Sequence, residues 1–212
     1  MTTLEYNTNK NYKQKNILDI LKRIPSKKSA PSKGLKIAIV SPYPPSKGTL
    51  NEYAYHLVEQ LKLKEEIAEI TILSDELLKG QAYPTFDRNS KVKIIPCWKF
   101  NDCLTPIKLR KAIKRAQPDL IFYNIQFLSF GDHKIPAAIG LLCPLLDRIF
   151  KIPSVVLLHN IVETVDYASA GITKNKWLQR LFNFTGTMLT KLLLSADLVA
   201  VTMGKYVNIL EE

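Results

Sequence analysis

The feature that most constrains the fold of this chain is an alternation of short apolar runs with longer segments of helical periodicity. Six runs, rich in aliphatic and β-branched residues, have the length of buried strands: 35–40, 67–73, 92–95, 120–123, 154–159 and 198–202. Apolar residues recur every three or four positions in four intervening segments: 50–63, 107–116, 135–151 and 176–194. Because parallel strands need long crossovers, this alternation predicts an α/β fold, a Rossmann-like three-layer sandwich with a mainly parallel sheet of about six strands.

The first 34 residues have a different composition from the rest of the chain. They hold eight Lys and Arg against two Asp and Glu, which accounts for +6 of the formal net charge of +11. The segment 25–34 is rich in Pro, Ser and Lys and is typical of a linker. We predict a basic, flexible tail over 1–34 and one folded domain over 35–212. Such a tail either attracts anionic partners, such as phosphates or acidic lipid surfaces, or only keeps the chain soluble.

Cysteine usage and hydropathy exclude several classes of protein. Cys97, Cys103 and Cys143 form no C-x-x-C pair and are odd in number, so neither a disulfide framework nor a metal site is predicted. The two longest apolar stretches, 135–150 and 177–201, are interrupted by prolines or by charged residues, which argues against membrane-spanning helices. With no secretory signal in the printed sequence, we predict a cytoplasmic location.

Polar residues follow several predicted strands, and the carboxyl ends of parallel strands meet at one edge of the sheet. His159 and Asn160 come directly after the apolar run 154–158, and Gln126 follows the run 120–123. A neutral imidazole at this edge is suited to hydrogen-bond a hydroxyl or a phosphate and to exchange a proton near neutral pH. The alternative is that a neighbouring loop carbonyl satisfies His159 and that Gln126 is an ordinary turn residue.

The loop after the first strand, 41–49, is a second candidate. It is rich in proline and contains Lys47, Gly48 and Thr49 just before a predicted helix. A helix start offers free N–H groups to anions, and Lys47 carries a charge that suits a phosphate. The loop lacks both G-x-G-x-x-G and G-K-[ST], so its signal for phosphate is weak, and the alternative is a plain connector.

Three segments together resemble a known family. They are the strand, Pro-Pro loop and Gly48 of 36–48 with the helix 51–61; the strand 155–158 ending in His159–Asn160; and the run 195–202, with 118–121 as a supporting match. In these segments the chain resembles the amino-terminal, acceptor-side domain of GT-B glycosyltransferases of the family 4 type. The resemblance covers the chain from about Leu35 onward.

That resemblance implies a retaining transfer of sugar from a nucleotide-sugar donor to an acceptor hydroxyl, without a metal or another cofactor. It implies that His159 is the catalytic residue beside the transferred sugar, and that the substrates contact Lys47, Gly48, Thr49, Gln126 and Asn160. The implied partners are a sugar acceptor, for instance a lipid-linked one, and a donor-binding domain or subunit, without which this chain is expected to be incomplete as an enzyme. A lipid-linked acceptor and the basic tail also suit peripheral contact with the cytoplasmic face of a membrane.

Two other functions compete with this prediction. The first is a non-catalytic Rossmann-like binding or regulatory module that keeps the sheet but lacks the chemistry. The second is nucleic-acid binding through the lysines of the tail, which is disfavoured because the tail has neither an interleaved aromatic platform nor a recognised reading motif.

Overall fold

A computed structural model of the protein describes residues 34–87, 89–159, 188, 191 and 193–202. Its six strands form one sheet, in which every neighbouring pair is parallel. The strands are β1 Leu35–Val40, β2 Ile67–Asp75, β3 Val92–Trp98, β4 Leu120–Ile125, β5 Ser154–Leu158 and β6 Leu198–Val201. The predicted α/β, Rossmann-like architecture is confirmed.

Four helices lie among the described residues: α1 Asn51–Lys62, α2 Thr105–Ala116, α3 Lys134–Gly140 and α4 Cys143–Ile149. The single helix predicted over 135–151 is wrong, because the chain turns at Leu141 and Leu142 and begins a new helix there. Pro144 lies in the first turn of that new helix, where its missing N–H is tolerated, whereas inside one continuous helix it would break the hydrogen-bond ladder. The predicted helix over 176–194 and the basic tail lie almost wholly outside the described residues.

Alternation along the strands gives the sheet two apolar faces. In β1, Ile37 and Ile39 face one core with Ala54 and Val58 of α1. The second core, called the main core below, lies on the other face of the sheet, beneath α2, α3 and α4. Its largest fully buried side chains include Trp98, Tyr123 and Phe130. Fully burying one aliphatic or aromatic side chain contributes about 1.5–3 kcal/mol, so these two layers supply most of the stability.

The strand order β3-β2-β1-β4-β5-β6 decides where a ligand can lie. From β1 the chain passes through α1 to β2, whereas from β4 it passes through α3 and α4 to β5 on the other side. The two connections therefore leave the carboxyl ends of β1 and β4 in opposite directions and open a crevice between them. This is the topological switch point, the usual ligand position in open α/β sheets. None of the helices among the described residues is long and apolar enough to cross a bilayer.

Candidate ligand site at the switch point

The loop between β1 and α1 is tied to the end of β2 and to itself. Ser46 Oγ donates a hydrogen bond to Asp75 Oδ2 at 2.6 Å and accepts one from the Gly48 amide at 3.0 Å. Asn51 Nδ2 donates to the Ser46 carbonyl, and the peptide bond between Pro44 and Pro45 is cis. The loop is therefore held by its own polar groups rather than left open for a ligand.

Gly48 is required here by packing. A Cβ at this position would lie 2.7 Å from side-chain atoms of Pro42, closer than real contacts allow. Lys47 and Thr49 are exposed on the same loop. Among the described residues, no hydrogen bond or ring contact joins Lys47, Gly48 or Thr49 to His159, so the structure does not bring the two predicted groups of site residues into contact.

The start of α1 is also poorly suited to an anion. Asn51 Oδ1 accepts a hydrogen bond from the Glu52 amide at 2.6 Å, which occupies one of the donors that the first turn offers. Glu52 adds a negative charge to that turn, where it repels a phosphate. The anion site predicted for this helix start thus has a competing side chain and an unfavourable charge.

The polar core of the crevice is a chain of three side chains from three neighbouring strands. Asn124, in β4, is fully buried and donates from Nδ2 to Ser41 Oγ at 2.9 Å. Its Oδ1 lies 2.7 Å from Nε2 of His159, which immediately follows β5. The predicted position of His159 at the sheet edge thus meets a side-chain partner, the Asn124 amide, rather than a loop carbonyl.

The contacts of Asn124 assign the tautomer of His159. The Leu50 carbonyl, 3.5 Å from Asn124 Nδ2, can only accept a hydrogen bond, so the atom that faces it is assigned as the nitrogen of the amide. Asn124 Oδ1 is then an acceptor, and His159 Nε2 must carry the proton. Burial lowers the pKa of His159, which favours the neutral ring. Nδ1 is left as an acceptor with no hydrogen-bond partner among the described residues.

Tyr53 packs directly against this ring. Its ring centroid lies 4.6 Å from that of His159 in an edge-on arrangement, and the residue is 43% exposed. Helical periodicity placed Tyr53 on the buried stripe of α1, so the sequence reasoning missed its role. The sequence pattern also did not single out Ser41 or Asn124 as site residues. Their position as polar residues at the carboxyl ends of apolar strands is the feature that could have indicated them.

Two further predicted residues stay without a structural test. The Gln126 amide donates to Ser129 Oγ at 2.8 Å, which places its backbone in the turn after β4. Asn160 lies outside the described residues. Within the described ranges, no group of three or more His, Cys, Asp and Glu side chains is arranged to hold a metal ion.

A second polar cluster lies on the other face of β4, inside the main core. Tyr123 donates a short hydrogen bond to Asp147 of α4, and both side chains are buried. Burial raises the pKa of Asp147 to about 6, while the hydrogen bond from Tyr123 and the charge of Arg110 act in the opposite direction. The Arg110 guanidinium carbon lies 3.7 Å above the ring of Phe150, which covers this cluster.

No protein-family model matches the sequence, and no curated protein matches it. Among solved structures, the chain is similar to WbmG from Bordetella bronchiseptica in complex with NAD and UDP, with 14% identity and a TM-score of 0.45, over 79% of this chain and 52% of that one. WbmH of the same organism, in complex with NAD⁺, is similar with 8% identity and a TM-score of 0.45, over 79% of this chain and 54% of that one. The dTDP-glucose 4,6-dehydratase of Bacillus anthracis, in complex with NAD, is similar with 12% identity and a TM-score of 0.38, over 79% of this chain and 53% of that one. The chain spans about half the length of these proteins, and at such identities the likeness concerns the fold alone.

These structures correct two predictions. The predicted membership in the GT-B glycosyltransferases, and with it the sugar-transfer activity, is wrong, because the similar structures are enzymes solved with NAD, one of them a dehydratase of a sugar nucleotide. The prediction that no cofactor is involved is contradicted by the same finding, since those similar structures were solved with NAD. The alternative prediction, a Rossmann-like binding module, agrees better with these structures.

Proposed function

We propose that this chain is a Rossmann-like binding module that holds a small, neutral, hydroxyl-bearing ligand at the switch point, beside the touching rings of His159 and Tyr53. One observation carries the proposal. Asn124 uses the Nε2 proton of His159, so Nδ1 of the half-buried, neutral ring is an acceptor that has no hydrogen-bond partner among the described residues. A ligand hydroxyl is the natural donor for that atom, and the edge-on Tyr53 ring gives the ligand an apolar surface to pack on.

The hydrogen bonds around the crevice favour a neutral ligand over an anionic one. The Gly48 amide is engaged by Ser46, and the Glu52 amide is engaged by Asn51. Neither amide is available to a phosphate without rearrangement. The predicted contacts of Lys47, Gly48, Thr49, Gln126 and Asn160 with a ligand stay predictions, and His159 is proposed here as a ligand-contacting residue.

NAD, the ligand of the similar structures, carries ribose hydroxyls, but its usual cradle is not present in this loop. Dinucleotide-binding turns use three glycines and an acidic residue that meets the ribose. Here the loop has the one glycine, Gly48, which packs on Pro42, and the acid at the end of β2, Asp75, accepts hydrogen bonds from Ser46 and from Tyr83. These residues do not fit NAD held in that way, and no step of the proposed binding involves a pyrophosphate.

Calorimetric titration with adenosine, uridine, UDP and NAD tests the proposal. We expect a neutral nucleoside to bind, and we expect its affinity to fall roughly tenfold in His159→Phe, which removes the acceptor. His133→Phe is the matched control, because that histidine is exposed on the loop before α3 and should leave the affinity unchanged. Equal losses in both variants, or no binding of any of the four ligands, would overturn the proposal.

The tautomer can be checked without a ligand. Nitrogen-15 NMR of the imidazole side chains should show His159 protonated at Nε2 and unprotonated at Nδ1 at neutral pH. Protonation at Nδ1 would remove the acceptor and contradict the proposed mode of binding.

A further inference from the structure

The outward face of α2 carries a concentration of positive charge. Five of its twelve residues are Lys or Arg and none is acidic, while Leu109, Ala112 and Ile113 point into the core. On the helical wheel Lys111 and Lys114 lie opposite this buried stripe. Both are exposed, and neither has an ion-pair partner among the described residues. Arg115 extends the same face, so the helix presents uncompensated charge to solvent.

Apolar side chains are exposed beside this charge. Four of them are between 52% and 68% exposed, and they lie on α2, on the turn before it and at the start of α3: Phe100, Leu104, Ile107 and Ile135. Basic residues adjoin them in sequence: Lys134 precedes Ile135, while Lys99 and Lys108, beside Phe100 and Ile107, form ion pairs with Glu76 and Asp102. Exposed apolar side chains that lie close together mark an interaction surface, whereas single, scattered ones are ordinary.

Asn101 holds the two loops of this surface together. Its Oδ1 accepts hydrogen bonds from the Asp132 and His133 amides, both at 3.0 Å, and its Nδ2 donates to Asp132 Oδ1 at 2.7 Å. Its own amide donates to the Phe130 carbonyl at 2.9 Å. The turn that carries Phe100 is thereby fixed against the loop that leads to Ile135, and the exposed apolar residues are presented by a built structure.

We propose that this surface, formed by Phe100, Leu104, Ile107 and Ile135 with the basic face of α2, docks on an anionic lipid bilayer. The apolar side chains enter the head-group region, while Lys111, Lys114 and Arg115 reach lipid phosphates and carboxylates. Basic residues that flank aliphatic and aromatic side chains are the combination that interfacial binding requires, because burial of the apolar side chains and attraction to the lipid charge act together.

Two observations favour a membrane over a nucleic acid. Three of the four exposed apolar side chains are aliphatic and have no flat ring to stack on a base, so they would cost free energy beside nucleotides. The charge is also one-sided: α1, on the opposite face of the sheet, has Glu52 and Glu59 with Lys62 as its single basic residue. An anionic bilayer is therefore expected to meet α2 rather than α1.

Flotation of the full chain with vesicles tests the proposal. We expect binding to vesicles of phosphatidylcholine with about a third phosphatidylserine, and little binding to phosphatidylcholine alone. In Lys111→Glu/Lys114→Glu the partition coefficient should fall by roughly tenfold or more, since each basic residue near an anionic surface contributes about 1 kcal/mol. In Leu104→Ser/Ile107→Ser it should fall even at low salt, where charge attraction is strongest.

Matched controls separate this surface from the overall charge. Lys64→Glu/Lys79→Glu changes the net charge by the same amount at exposed lysines outside this surface, and Leu63→Ser/Leu78→Ser removes two leucines that are 74% and 70% exposed. Both should keep vesicle binding, and circular dichroism should show every variant folded. Equal losses in a variant and its control would overturn the proposal. So would unchanged binding in the Leu104/Ile107 variant, or tighter binding to a single-stranded oligonucleotide that displaces the vesicles.

Discussion

Tyr123 and Asn124 are neighbours in β4, yet their side chains point to opposite faces of the sheet and meet different surroundings. Tyr123 hydrogen-bonds Asp147 in a cluster that the ring of Phe150 and the helices α2 and α4 close from solvent. Asn124 hydrogen-bonds Ser41 and His159, and His159 is only half-buried beside an exposed Tyr53. Both are polar groups inside a sheet, but only the second leads to the surface.

This difference in burial distinguishes the polar group that serves stability from the one that can serve binding. In the closed cluster Tyr123 donates to Asp147, and burial makes the charged form of Asp147 costly, so changes there should appear as changes in the free energy of unfolding. In the chain from Ser41 through Asn124 to His159, the acceptor Nδ1 of His159 has no hydrogen-bond partner among the described residues. Changes there should alter the properties of His159 more than the stability of the fold.

The largest expected effect is the loss of the Tyr123 side chain. Tyr123→Ala removes a fully buried aromatic ring from the main core and leaves a cavity, which should lower the free energy of unfolding by about 3–5 kcal/mol. Urea unfolding followed by circular dichroism measures it. Tyr55→Ala is the control, because that ring is 43% exposed on α1 and its loss should cost about 1 kcal/mol or less. Similar costs for the two variants would show that Tyr123 is not part of a closed core.

The next effect is a dependence of stability on pH that Asp147 causes. Its pKa is raised to about 6 in the folded protein, from an ordinary value of 3.8, so the folded state holds the proton more tightly than the unfolded chain does. Its contribution to the free energy of unfolding should therefore fall as pH rises from about 4 to about 6, by up to about 3 kcal/mol.

Asp147→Asn checks that dependence, since the amide keeps the shape and an acceptor for Tyr123 but does not titrate. The difference in unfolding free energy between the two proteins, measured at several pH values from 4 to 7, should change in favour of the variant as pH rises. A constant difference would mean that Asp147 titrates normally in the folded protein.

The smallest effect is on the acid–base behaviour of His159. Asn124→Asp places a carboxylate against Nε2, which stabilises the imidazolium, so the lowered pKa of His159 should rise by about one unit or more. NMR titration of the imidazole protons measures this pKa directly. The exposed His133 provides an internal reference, and an equal change at both histidines would exclude a direct contact between Asn124 and His159.

Much of the fold was predictable because the inner strands β1, β2, β4 and β5 are buried along most of their length. Continuous apolar runs give such strands a signal that needs no partner, and the runs 35–40, 67–73 and 154–159 correspond closely to β1, β2 and β5. The break between α3 and α4 was missed although Pro144 was visible, because apolar periodicity continues across it. The periodicity of α1 likewise could not show that Tyr53 is 43% exposed, since it gives the face of the helix and not what covers each position of that face.

The candidate site was predictable in part. His159 stood out as a polar residue directly after an apolar run, and the rule about strand ends placed it correctly. Asn124 and Ser41 were less visible, because each is a single polar residue at the end of a run and their pairing depends on which strands are neighbours. The family resemblance led to a wrong activity, because a strand, a proline-rich loop and a helix occur in many Rossmann-like domains and specify a fold more than a reaction.

The class of fold follows from the amino-acid sequence alone, since apolar runs and helical periodicity are local patterns whose free energy of burial depends on composition and spacing. That β1 and β4 are neighbours, by contrast, is known from the three-dimensional structure. The contact of Asn124 with Ser41 depends on this strand order, and so does the tautomer assigned to His159. The structure also shows the opposite surroundings of Tyr123 and Asn124. Strand order joins residues 83 positions apart, such as Asn124 and Ser41, and no local pattern encodes such a pairing.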